Sequence, residues 1–154
     1  ARQGGPMTAR EKPPLPVLDD FPVKASDTIR YGDTDKLGHV NNAVFSTFLE
    51  TGRTRLLWGG AAAVAPEHAS FVLARLVLDY RAEMLWPGEA LIGTGVLSVG
   101  NSSMTLSQAI FQGERCPATA ETVLVLFDLV TRRPLPLPEE SLSRLASLKM
   151  RRPG

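Results

Sequence analysis

Between Val72 and Met84 apolar and polar positions alternate: Val72, Ala74, Leu76, Leu78, Tyr80, Ala82 and Met84 stand against Arg75, Asp79, Arg81 and Glu83. A period of two is that of an extended strand with one buried face and one half-polar face, and the following Pro87-Gly88 pair ends it in a turn. Three further strands are predicted at roughly Ala90 to Val99, Ser103 to Gln112 and Arg115 to Val130, separated by Gly100-Asn101 and Gly113-Glu114. Such short separators predict an antiparallel meander of hairpins. Upstream, a shorter alternation from Ser26 to Tyr31 predicts a first strand ending at Gly32.

The period changes after that strand. Val44, Phe45, Phe48, Leu49, Leu56 and Leu57 fall on one face at helical spacing, with Asn41 or Asn42 placed to cap the start and Gly59-Gly60 to stop the helix after Trp58. Gly52 interrupts the apolar face of this helix at about 1 kcal/mol of propensity cost, which close packing of its backbone against another element would explain. Pro134, Pro136 and Pro138 end the last strand, and Glu139 to Met150 read as a short terminal helix. The order of elements predicts an α+β fold, an antiparallel sheet of about five strands wrapped around one long central helix. A lone sheet of that kind has an open edge, so a homodimer or a tetramer built from dimers is expected.

Composition narrows the function. Of 154 residues, 44% are hydrophobic and 21% charged, and the formal net charge of +1 provides no general attraction to nucleic acid or anionic lipid. The longest weakly polar run, Trp58 to Pro66, falls far short of the roughly 20 apolar residues that a membrane helix needs. Residues 1 to 20, rich in proline and lacking an apolar segment, read as a flexible arm rather than a secretory signal, leaving residues 21 to 150 as a single domain. Cys116 is the single cysteine, so no internal disulfide is available and the cytoplasm is the default compartment. Its environment is expected to be that of a small buried hydrophobe on a strand.

The chemistry concentrates in Tyr31-Gly32-Asp33-Thr34-Asp35-Lys36-Leu37-Gly38-His39-Val40-Asn41-Asn42, between the first strand and the long helix. A helix N-terminus offers unpaired N–H groups and partial positive charge, which can polarise a carbonyl as negative charge develops on its oxygen. A carboxylate a few residues upstream is placed to reach the same carbonyl carbon.

YGDTDKLGHVNN followed by AVFSTFLETGR resembles the signature of the 4-hydroxybenzoyl-CoA thioesterase-like branch of hotdog-fold thioesterases, and the resemblance runs from about Phe21 to Glu140. It includes Asp79-Tyr80, Pro87-Gly88-Glu89 and the stretch from Asp128 to Pro138. It implies hydrolysis of an acyl-CoA thioester with Asp35, the second aspartate of the G-D-x-D stretch, as the catalyst, and a backbone N–H near Asn42 polarising the carbonyl. Asp35 would act either as nucleophile, through an anhydride, or as general base toward water.

Asp33 reads as a turn former, a common role for Asp after Gly. His39 either contacts the acyl group or orders the loop. Glu50, on the helix, is the backup catalyst, against a plain solvated pair with Arg53 three residues on. Asp33, Asp35 and His39 lack a further clustered ligand, so neither a metal nor a cofactor is predicted. The turn at Gly100 to Ser103 lacks the basic residues that the archetype of this branch uses for coenzyme A phosphates, which leaves Arg75, Arg81, Arg132 or Arg133 for that task. Phe45, Phe48, Leu56, Trp58 and Trp86 are candidates to line an acyl pocket, with core packing as their commoner fate.

Two other functions compete. A hotdog hydratase or dehydratase would need Asp and His separated by four residues with Asn-Pro between them, whereas Asp35 and His39 are separated by Lys36, Leu37 and Gly38. A non-catalytic acyl-thioester binding protein would keep the fold, and the retention of Asp35 weighs against it. Acyl carrier protein is the alternative carrier to coenzyme A.

Overall fold

Five antiparallel strands in the order β1-β3-β4-β5-β2 and one long helix organise residues 14–60 and 62–151, which are the residues the computed structural model describes. The strands are β1 (Val23–Ile29), β2 (Ala69–Tyr80), β3 (Gly88–Val99), β4 (Ser103–Gln112) and β5 (Arg115–Asp128); the helices are α1 (Asn42–Trp58) and α2 (Glu139–Ala146). The meander of β3, β4 and β5 forms as the turn residues predict, while β1 and β2 occupy the two edges. Of the arm expected over residues 1 to 20, residues 1 to 13 lie outside the described residues. Leu18–Asp20 form a short 3-10 turn that leads into the buried Phe21.

Three boundaries differ from expectation for local reasons. β1 runs Val23–Ile29 rather than Ser26 to Tyr31, because the chain turns into a 3-10 turn at Tyr31–Asp33. β5 stops at Asp128 rather than Val130, since the Asp128 carboxylate accepts the Val130 and Thr131 N–H groups at 2.7 and 3.0 Å and so closes a turn. The terminal helix ends at Ala146, after which Leu148 and Met150 pair with Val96 of β3.

β2 departs furthest. It ends at Tyr80 rather than continuing to Met84, because Arg81 and Ala82 both direct their N–H groups at the Pro117 carbonyl instead of along the sheet. A register shift between Leu73 and Arg75 breaks the two-residue period. Val72, Leu73 and Val77 are consequently exposed along this edge, while Ala69 and Phe71 before the shift are buried in the core and Leu76 and Leu78 after it pack against the core.

α1 lies across β1, β3 and β4. The Asn41 side chain caps it by accepting the Ala43 N–H at 3.0 Å, and Gly59 closes its other end. The close approach anticipated at Gly52 is present: a Cβ there would sit 2.5 Å from Ile92 Cγ2, 2.7 Å from Thr94 Oγ1 and 2.9 Å from Gln108 Nε2. Gln108 donates to the Leu49 carbonyl (2.9 Å) and to Thr94 (3.0 Å), and accepts from Thr122 (3.2 Å). Phe45, Phe48, Leu49 and Ile92 fill the core beneath the N-terminal half of the helix, each such burial contributing roughly 1.5–3 kcal/mol. Leu56, Leu57, Leu106 and Leu145 fill it beneath the other end.

Candidate active site

The polar loop ahead of α1 is a miniature hairpin. Thr34 and Val40 face each other in an antiparallel bridge, Asp35 N–H donates to the His39 carbonyl at 2.8 Å, and Gly38 takes the left-handed φ of 79° that the reversal requires. This hairpin docks on the segment after β2, with Val40 N–H donating to the Met84 carbonyl at 2.8 Å and His39 bridged to Leu85. Gln112, at the end of β4, holds Leu85 by both its N–H and its carbonyl, at 3.1 and 2.7 Å.

The two aspartates of the loop have separate environments. Asp33 is 3% exposed; its carboxylate accepts the Arg30 backbone N–H at 2.8 Å and the Arg30 guanidinium at 3.0 Å, and its carbonyl accepts the Asn41 N–H. Burial is the largest influence on its carboxyl and alone would raise the pKa. The hydrogen bonds and charge of Arg30 act against burial and together hold it below the ordinary value. Asp33 is thus the turn former that its position after Gly32 suggests, and it fixes the entry to α1. Asp35 is exposed, and one oxygen, Oδ1, accepts the Leu37 and His39 N–H groups at 2.8 and 3.1 Å. Its other oxygen accepts no hydrogen bond from the described residues.

Asp35, His39, Val40, Asn42, Phe45 and the stretch from Tyr80 to Glu83 line one open cleft of about 360 Å³. At the first turn of α1 the Ala43 N–H is taken by the Asn41 side chain and the Val44 N–H by the Asn41 carbonyl. The Asn42 N–H bonds to no acceptor among the described residues, so the donor left over at the helix terminus belongs to a residue of the cleft. The Tyr80 hydroxyl donates to the Asn42 carbonyl at 2.9 Å, and its ring meets Phe45 edge to face at 5.1 Å. All three candidate site residues, Asp35, His39 and Asn42, therefore share one cavity.

The sequence pattern reads Tyr80, Arg81, Ala82 and Glu83 as continuing a strand, and of these it offers only Arg81 as a site candidate, for phosphate contacts. Glu83 Oε2 lies 3.0 Å from His39 Nε2. Among the arginines considered for phosphate contacts, Arg81 alone lines the cleft, and one of its guanidinium N–H groups reaches Thr119 at 3.3 Å. Among the aromatic and aliphatic residues considered for an acyl pocket, Phe45 lines the cleft. Phe48 and Leu56 are core, Trp58 is exposed on the far side of α1, and Trp86 packs edge to face on Tyr31.

Glu50 lines a different groove, with Thr51, Thr54, Arg55, Trp58 and Gly59. Its expected ion pair with Arg53 does not form, because Arg53 turns inward, is 7% exposed, and donates to Gln108 at 3.4 Å. Burial pushes the Arg53 guanidinium below its usual pKa, an effect that the charge of Glu50 opposes. Cys116 is buried, its Sγ donates to the Ala118 carbonyl at 3.4 Å, and burial pushes its thiol up, as expected of an unreactive packed cysteine. Among the described residues no three His, Cys, Asp or Glu side chains cluster at metal-binding spacing, and no helix is long and apolar enough to cross a membrane.

Comparison with known proteins agrees with this architecture. Residues 29–145 match the family model of the thioesterase-like superfamily. The acyl-CoA thioester hydrolase YbgC of Escherichia coli O6:H1 is 28% identical over 127 residues, covering 80% of this chain and 92% of the relative. A thioesterase from Thermus thermophilus, solved in complex with coenzyme A and Zn, is 33% identical with a TM-score of 0.72, covering 81% of this chain and 98% of that one. The PA5185 protein of Pseudomonas aeruginosa PAO1 superposes with a TM-score of 0.79 at 26% identity, over 89% and 98% of the two chains. With a helix wrapped by a five-stranded antiparallel sheet and a family match across most of its length, the chain belongs to the thioesterase-like superfamily, as a thioester hydrolase of the hotdog fold.

Proposed function

We propose that the protein hydrolyses acyl-CoA thioesters, with Asp35 as nucleophile or general base and the backbone N–H of Asn42 polarising the thioester carbonyl. The observation that carries this reading is the Asn42 amide, unpaired at the head of α1 and on the same cleft as an exposed carboxylate. A carbonyl oxygen placed on that amide gains a donor aimed at the charge that develops on it, a contribution typically of about 10²- to 10³-fold in rate for one such donor. The two N–H groups on Asp35 Oδ1 hold the carboxylate in one orientation within the same cleft. His39, bonded to Asp35 through its backbone, orders the loop and reaches the cleft as well. The acyl-CoA thioester hydrolase activity of YbgC and the coenzyme A held by the Thermus thermophilus relative support the choice of substrate.

Release of free thiol from a panel of short, long and aromatic acyl-CoA esters, each compared with the matching acyl carrier protein ester, tests this reading. Hydrolysis of at least one coenzyme A ester is expected; a panel with no thiol above background would leave a binding protein. The active form is a homodimer or a tetramer of dimers, for which the exposed apolar edge of β2, with Val72, Leu73 and Val77, is the supporting observation. Light scattering at micromolar concentration should return at least twice the chain mass.

A further inference from the structure

Glu83 lies far from the polar loop in sequence, yet its Oε2 sits 3.0 Å from His39 Nε2, and both residues line the cleft that holds Asp35 and Asn42. Both side chains retain considerable exposure, 36% for His39 and 52% for Glu83, and a polar contact so open to solvent adds little to stability. Its backbone supports are nonetheless extensive. The Glu83 carbonyl accepts from the Arg115 guanidinium at 2.6 Å, Met84 and Leu85 are paired to Val40 and His39, and Gln112 grips Leu85 from both sides. The hairpin between β4 and β5 thereby fixes the segment that presents Glu83, and Asp35 fixes the backbone that presents His39.

We infer that Glu83 is a positioning residue of the hydrolytic site: it accepts a hydrogen bond from His39 Nε2 and so leaves Nδ1 as the nitrogen that accepts one from the reacting water. This rests on the function proposed above. Whether Asp35 attacks directly or activates water, a water molecule has to reach a carbonyl carbon, of the thioester in one case and of the anhydride in the other. A neutral imidazole with its N–H committed to a carboxylate presents a lone pair at the opposite nitrogen, and a carboxylate behind the ring fixes both tautomer and orientation. His39 then orients the water: where Asp35 is the base it takes the water proton, and where Asp35 is acylated the proton passes to His39 Nδ1 as the anhydride C–O bond breaks and the Asp35 carboxylate is released.

A double-mutant cycle in steady-state hydrolysis of an acyl-CoA tests the assignment. Glu83→Ala should lower kcat roughly tenfold with KM little changed, in the range seen when the partner behind an orienting histidine is removed. Glu83→Gln, which keeps an acceptor oxygen, should recover most of that loss. His39→Ala should be impaired at least as much as Glu83→Ala, and the double variant should be no slower than His39→Ala alone. Full activity of Glu83→Ala, losses that multiply in the double variant, or an unimpaired His39→Ala would each overturn the inference. Asp35→Asn, measured alongside, separates the two levels: if it stays active the site reading itself fails, whereas if it is dead while the cycle is additive only the role of Glu83 is lost. Thermal midpoints of all variants identify any that lose activity by unfolding.

Discussion

In the middle of α1, Gly52 sits flush on β3 and β4, Gln108 is bonded to helix and sheet together, and no buried side-chain polar atom among the described residues lacks a partner. At the first turn of the same helix the Asn42 amide meets no acceptor among the described residues and the carboxylate of Asp35 is exposed. The first region satisfies its polar groups within the protein, and the second leaves them open to the cleft. Polar groups left open at a fixed position are what a charge-stabilising site needs, and the satisfied middle of the helix is what fixes the position.

That contrast can be broken by substitution. Asp35→Asn retains Oδ1 for the Leu37 and His39 N–H groups, so the turn should persist while turnover falls at least about a hundredfold, with the thermal midpoint near wild type. Gly52→Ala should do the reverse. Overpacking against Ile92, Thr94 and Gln108 costs roughly 1–3 kcal/mol, helix propensity returns about 1 kcal/mol, and the result is a lower denaturation midpoint in a protein that still turns over.

Asp33→Asn should fall between these, destabilising the fold by roughly 1 kcal/mol through weakened bonds to Arg30 and slowing turnover less than Asp35→Asn does. Its pH dependence has a definite sign. A carboxyl whose pKa is lower in the folded state contributes stability above its unfolded pKa of about 4, and that contribution disappears as pH falls through the folded value. The gap in stability between wild type and Asp33→Asn should therefore be full at neutral pH and close in acid, as chemical denaturation across pH would record. Glu50→Gln should produce the smallest change, within about 0.5 kcal/mol in stability and near wild type in turnover, since Glu50 is exposed and lines a separate groove. A dead Glu50→Gln beside an active Asp35→Asn would move the catalyst onto the helix.

Features governed by neighbours in sequence were legible from it. The helix cap, the stop at Gly59 and the β3-β4-β5 hairpins depend on residues a few positions apart; the stop and the hairpins form where the pattern places them, and of the two asparagines offered for the cap Asn41 takes it. The carboxylate, histidine and helix start of the candidate site are readable as neighbours for the same reason, all lying within one loop that opens on one cleft. What escaped depends on distant partners. Arg53 looked like half of a surface pair because Glu50 is three residues away, and its inward turn is decided by Gln108, which no local rule connects to it. The end of β2 is hidden from the sequence because alternation continues to Met84, while the Pro117 carbonyl draws Arg81 and Ala82 out of the sheet. Glu83 was missed with them.

The Tyr80 hydroxyl joins the last residue of an edge strand to the first residue of α1, whose amide is the unpaired donor of the cleft. Whatever lies along that edge is thus one hydrogen bond from the residue whose amide is proposed to polarise the carbonyl. If a second copy pairs there, dilution becomes an experiment on chemistry: specific activity should fall when the subunits separate, at saturating substrate and with each chain still folded. Turnover would then depend on how much enzyme is present as well as on how much substrate it meets.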